Sequence, residues 1–138
     1  MSVIVIVTDS GFGPDSAPAD WHDLAPDADP EALGAALAGL AAIRISFPAF
    51  SDGRGFTLAA RLRRMGFAGR LRAAGHLIAD QYAMARRAGF DEVQIDAALA
   101  ARQPEAQWLA RADWRAHDHR RKLGRREPGR HEAADRSG

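Results

Sequence analysis

Apolar residues along the chain fall into short β-branched or alternating runs separated by stretches of helical period. Val3 to Val7 is a continuous β-branched run closed by Thr8-Asp9-Ser10-Gly11, the pattern of a buried strand. Ile43, Ile45 and Phe47 mark a second strand, Arg70 to Ala74 a third and Glu92 to Asp96 a fourth. Helices are predicted at Pro30 to about Leu40, at Thr57 to Met65 and at Leu77 to Ala88. Asp29-Pro30-Glu31 supports the first of these with an N-cap, a proline at the first helical position and an acid in the first turn. Pro104-Glu105 reads as another helix start that offers Trp108, Leu109 and Ala112 to the core. Gly13 to Asp29 carries three prolines and five aspartates without a period; it is expected to be a loop with a turn of helix around Asp20 to Leu24.

Strands joined by helical crossovers of this length run parallel, and such crossovers are right-handed. The expectation is therefore an α/β fold: a small parallel β-sheet of about four strands, either an open sheet or half of an α/β barrel. Such a sheet leaves edges to cover, which points to a homodimer. Two segments repeat at a spacing of 23 residues, Arg63-Arg64-Met65-Gly66-Phe67 and Arg86-Arg87-Ala88-Gly89-Phe90. Each reads as a helix stop, with arginines at the negative end of the dipole, glycine in the left-handed position and phenylalanine folding back as the apolar contact.

At 138 residues the chain is too short for a complete eight-stranded barrel, and one α/β domain is expected over residues 1–115. The composition, 46% hydrophobic and 27% charged, is that of a globular protein, and no apolar run approaches a membrane span. The opening residues lack a basic region followed by a cleavage site, so a cytoplasmic location is expected. Absence of cysteine excludes disulfides, thiolate nucleophiles and Cys-ligated iron–sulfur or haem centres on this chain. The net charge of +1 is unevenly placed: Arg111 to Gly138 holds nine Arg/Lys against five Asp/Glu. Residues 116–138 read as a basic, disordered tail.

Candidate chemistry belongs at the carboxyl ends of the strands, where strand-to-helix loops converge. Phe47 to Thr57, FPAFSDGRGFT, is such a loop. Pro48 fixes its start, and Asp52, Gly53, Arg54 and Gly55 bring bare backbone and a guanidinium to a helix start, which suits an oxyanion. The competing reading pairs Asp52 with Arg54 and leaves the glycines to satisfy backbone angles. Gly75-His76 ends the third strand, with Asp80 and Gln81 following. His76 could move protons with Asp80 orienting it, but the favoured reading makes His76 an N-cap and Asp80 a first-turn acid. Asp52, His76 and Asp80 are thus the candidate catalytic residues. His117-Asp118-His119 lacks further metal ligands and reads as solvated, so no metal is assigned. Arg115, Arg120, Arg121, Lys122, Arg125 and Arg126 carry charge without the aromatics or motif of a nucleic-acid reader.

From Ile43 to Ile95 the chain resembles a bacterial family of uncharacterised proteins encoded beside assimilatory sulfite reductase and phosphoadenylyl-sulfate reductase, often labelled oxidoreductases of sulfite reduction. The likeness rests on the loop Phe-Pro-x-Phe-Ser-Asp-Gly-Arg-Gly-Phe and on a glycine followed five residues later by Asp-Gln, Gly75 with Asp80 and Gln81. Phe47, Pro48, Phe50, Asp52, Gly53, Arg54, Gly55, Arg61, Gly75, Asp80 and Gln81 match the family pattern. Ala49, His76 and Ala79 depart from it, standing where members usually carry Lys, Asp and Arg. The resemblance implies an accessory protein of sulfate or sulfite reduction that acts with sulfite reductase or its reductant supply, to which the loop reading adds an oxyanion held at Asp52 to Gly55. The alternatives are a small enzyme acting on a sulfur or phosphate oxyanion, or an adaptor that uses the basic tail. No cofactor is implied by either line of reasoning.

Overall fold

The computed structural model describes residues 4–15 and 20–115. Six strands, β1 (Ile4–Thr8), β2 (Gly11–Gly13), β3 (His22–Leu24), β4 (Ala42–Phe47), β5 (Arg70–Gly75) and β6 (Glu92–Asp96), form one sheet in the order β2-β1-β6-β5-β4-β3. The helices are α1 (Arg54–Arg64), α2 (Tyr82–Ala88), α3 (Ala97–Arg102) and α4 (Glu105–Leu109), with 3-10 segments at Pro30–Gly39 and Ala79–Gln81.

The sheet is mixed and has two more strands than expected. β3 to β6 are mutually parallel, but β1 runs antiparallel to β6 and to β2. The physical reason lies in Asp9-Ser10, which is a two-residue hairpin turn: Thr8 pairs with Gly11, whose φ of 105° suits glycine alone. With no helical crossover after it, β1 is free to lie antiparallel. The expected turn of helix at Asp20 to Leu24 is instead β3, paired with Ile43 to Ile45. The helix after Asp29 is a 3-10 element broken at Gly34, where φ is 50°, although Asp29 caps it as expected by accepting from the Glu31 N–H. α1 begins at Arg54, one turn before Thr57, and the expected Leu77–Ala88 helix is a 3-10 turn followed by α2. Of the residues offered by α4, Trp108 is buried and donates its indole N–H to Gln103 O at 2.8 Å. Leu109 instead faces solvent, 43% exposed.

Strand order rises without reversal from β3 to β6, so right-handed crossovers all lie on one face of the sheet. Ile43, Ile45, Phe47, Leu71, Ala73, Val93 and Ile95 point to that face and pack with Leu58, Ala59 and Leu62 of α1 and with Tyr82 and Ala85 of α2. The opposite face is charged. Asp23, Arg44, Arg72 and Glu92 stand in register across four strands. Arg72 and Glu92 are almost completely buried there. Arg72 donates to Glu92 at 2.6 Å, to both oxygens of Asp15 and to Gln94, and the Trp21 ring covers its guanidinium at 4.3 Å. Arg70 adds a second cation to Glu92. Arg44 grips Asp23 and, chiefly by that hydrogen bond, holds its carboxyl below the ordinary range.

Both predicted helix stops form. Gly66 (φ 101°) and Gly89 (φ 116°) are left-handed, and Phe67 and Phe90 donate back to Leu62 O and Ala85 O at 3.0 Å, the outer bond of the Schellman motif. The equivalence extends to the arginines. Arg63 donates to Phe67 O and to Asp91; Arg86 donates to Phe90 O and to Asp9. Asp9, in the β1–β2 turn, thus stands to the second unit as Asp91 stands to the first. The Tyr82 hydroxyl and the Trp114 indole also donate to Asp9. Burial raises the Asp9 carboxyl, but the hydrogen bonds from Tyr82 and Arg86 outweigh it and leave the group below its ordinary value.

Candidate functional site at the carboxyl ends of the parallel strands

Because β4, β5 and β6 run the same way, the loop after Phe47, the Gly75-His76 corner and Asp96 open onto one rim. The corner fits closely to β4. His76 N–H donates to Phe47 O at 2.8 Å, and a side chain at Gly75 (φ 128°) would put its Cβ 2.5 Å from that same oxygen. Gln81 then ties the two loops together: its Oε1 accepts from Ile78 N–H, and its Nε2 donates to Phe50 O at 2.8 Å. Phe50 lies edge-on to the His76 ring at 5.6 Å.

The two glycines of the loop have different reasons. A Cβ at Gly55 would fall 2.5 Å from the Phe47 ring, which is held between Phe56 and Phe90 at centroid distances of 5.0 and 5.8 Å. Gly55 is therefore a packing requirement. Gly53 has an ordinary φ of −84° and open space where a Cβ would stand.

Asp52 and Arg54 pair directly. Nε and Nη2 of Arg54 meet the two carboxylate oxygens at 2.9 and 2.7 Å, and Arg54 N–H adds a third bond. This side-on grip, chiefly the guanidinium hydrogen bonds, pulls the Asp52 carboxyl down to about 2. The outer edge of Arg54 faces a cleft of about 260 Å³ with Pro26, Asp27 and Arg61, where Asp27 lies 3.9 Å away and Arg61 bonds Glu31.

His76 and Asp80 are not partners. Asp80 bonds Arg111 at 2.7 Å, and the helical turn that His76 was expected to cap starts two residues later, with Ile78 at the N-cap position. Asp80 does lie in its first turn, as expected. His76 instead lines a cleft of about 150 Å³ with Gln94, Asp96 and Arg102. Sequence reasoning missed Arg102 because α3 follows β6 without a loop to draw attention to it. Among the described residues no group of three or more His, Asp or Glu side chains converges as a metal site. The His117-Asp118-His119 stretch and tail residues Arg120, Arg121, Lys122, Arg125 and Arg126 lie outside the described residues, whereas Arg115 lies within them and stacks over the Trp114 ring at 4.8 Å.

No helix among the described residues is long and apolar enough to cross a membrane. No curated protein and no solved structure matches the chain. Residues 23–123, a span that contains β4 to β6, both repeat units and every rim loop, match the family described as "Bacterial protein of unknown function (DUF934)", and the chain belongs to that family.

Proposed function

We propose that this chain is a cytoplasmic accessory protein of assimilatory sulfite reduction, acting with sulfite reductase or its reductant supply, and that the carboxyl-end rim is the surface it works through. The sulfur context comes from the likeness noted at Ile43 to Ile95. What supports the rim is the placement of Phe50. This aromatic ring is 42% exposed, yet its backbone is fastened by Gln81 and its ring is braced on His76. A large apolar group held rigid in solvent is an anchor for a partner rather than a folding necessity. An oxyanion carried at Asp52 to Gly55 would meet the outer edge of Arg54, since Asp52 fills the inner one.

The test is quantitative affinity purification of the tagged chain from its native host, with sulfite reductase subunits measured in the eluate. Enrichment with the wild-type chain, reduced in Phe50→Ala and retained in Arg64→Ala at the opposite end of α1, is the expected result. Sulfite reductase at background levels with the wild-type chain would overturn the reading.

A further inference from the structure

We propose that the cleft between Gly75-His76 and Asp96-Arg102 binds one compact oxyanion of the sulfite, sulfate or phosphate class. The inference rests on the rim being the working end and names the ligand taken there. A guanidinium and an imidazole line this cleft, and among the described residues neither Arg102 nor His76 has a hydrogen-bond or ion-pair partner through its side chain. Gln94 is a third polar residue of the lining. Its Oε1 accepts from Arg44 and Arg72, which fixes the Gln94 amide beside the cleft it lines.

Comparison with the Asp52–Gly55 turn decides where an oxyanion goes. At the turn it must share Arg54 with Asp52 and Asp27, and Arg61 with Glu31. A charge-assisted pair is stronger than a neutral hydrogen bond and does not yield cheaply. In the His76–Arg102 cleft, among the described residues, no carboxylate pairs with either side chain. Among the described residues Asp96 is the one carboxylate in the lining, and its Oδ1 already accepts from Leu99 N–H at 2.8 Å. Its remaining negative charge disfavours a second anionic group, and hence a polyphosphate.

Size points the same way. A volume of about 150 Å³ lies well below the ~300–1,000 Å³ of pockets that enclose drug-sized ligands. The Phe47–Phe56 loop acquires a task in this arrangement: Phe50, fastened by Gln81, holds the His76 ring at the cleft mouth.

Isothermal titration of the full chain with sodium sulfite, sulfate and phosphate at low ionic strength tests the proposal. At least one of these should bind, weakened about tenfold or more in both Arg102→Gln and His76→Gln and by less than about twofold in Arg54→Ala. Both cleft residues are exposed, so the variants should melt with the wild-type chain. Absence of binding to the wild-type chain, or affinity untouched by both cleft variants, overturns the inference. Loss confined to Arg54→Ala also overturns it by placing the ligand at the turn. None of these outcomes bears on whether sulfite reductase co-purifies, so the two readings fail separately.

Discussion

Arg72→Met should be among the most damaging single changes available on the polar face of the sheet. The substitution keeps the length and apolar stem of the side chain but removes a guanidinium that is 1% exposed and bonded to Glu92, Asp15 and Gln94. Glu92, also 1% exposed, would be left with Arg70 alone. Breaking a buried pair by deleting one partner costs ~3–5 kcal/mol, because the survivor stays desolvated without its counter-charge. Arg70 is 47% exposed but still bonds Glu92, and that retained partner puts the expected loss at the lower end, ~3 kcal/mol. For a chain of this length the loss lowers the melting temperature by about 10 °C. Removing the second charge as well, in Arg72→Met/Glu92→Leu, should recover at least half of the loss, since an apolar replacement of the whole pair leaves no orphaned ion. Urea unfolding followed by circular dichroism measures both, and fluorescence of Trp21, whose ring covers Arg72, reports the local change. A single-variant loss under ~1 kcal/mol, or a double variant less stable than the single one, would refute the claim that this pair is held desolvated.

Two further outcomes follow from the rim. Gly55→Ala should cost ~1–3 kcal/mol by forcing Phe47 out of its aromatic cluster, whereas Gly53→Ala, with open space and an ordinary φ, should stay within ~0.5 kcal/mol of wild type; parallel urea titrations distinguish them, and equal losses would refute the packing account of Gly55. A carboxyl-detected NMR titration should place Asp52 at about 2, below the ordinary ~3.9. With the folded value depressed, the stabilisation from this pair is complete above the ordinary value and is lost as pH falls through about 2. Arg54→Ala should return Asp52 towards the ordinary range, and an unmoved titration would mean that Arg54 is not the cause.

The sequence announced the parallel strands and both helix stops, because each depends on local signals: alternating apolar residues in β4, or arginine, glycine and phenylalanine at fixed offsets. The one-sided character of the sheet is also legible, in the alternation of Ile43-Arg44-Ile45-Ser46-Phe47 and Glu92-Val93-Gln94-Ile95, which puts apolar residues on one face and polar ones on the other. β3 was hidden among aspartates and prolines, since a three-residue strand carries too little period to detect. The direction of β1 depended on a turn that was read as an end rather than as a reversal. At the rim, the Asp52–Arg54 pair was foreseeable from proximity in sequence. The approach of Arg102 to His76, 26 positions apart, depends on the register of β5 against β6, which no local pattern encodes.

The antiparallel hairpin has a consequence for assembly. An array whose units repeat an Arg-Arg-x-Gly-Phe helix stop at a 23-residue spacing has no intrinsic reason to end there, and an uncapped one invites another copy to add on. β1 lies along β6 with its chain direction reversed and offers Asp9 to the arginine that would otherwise await a next unit. It therefore satisfies the growing end while presenting nothing that could be extended in the same sense. A chain truncated before Gly11 would leave β6 as a bare template, and its expected fate is head-to-tail association of copies through that strand.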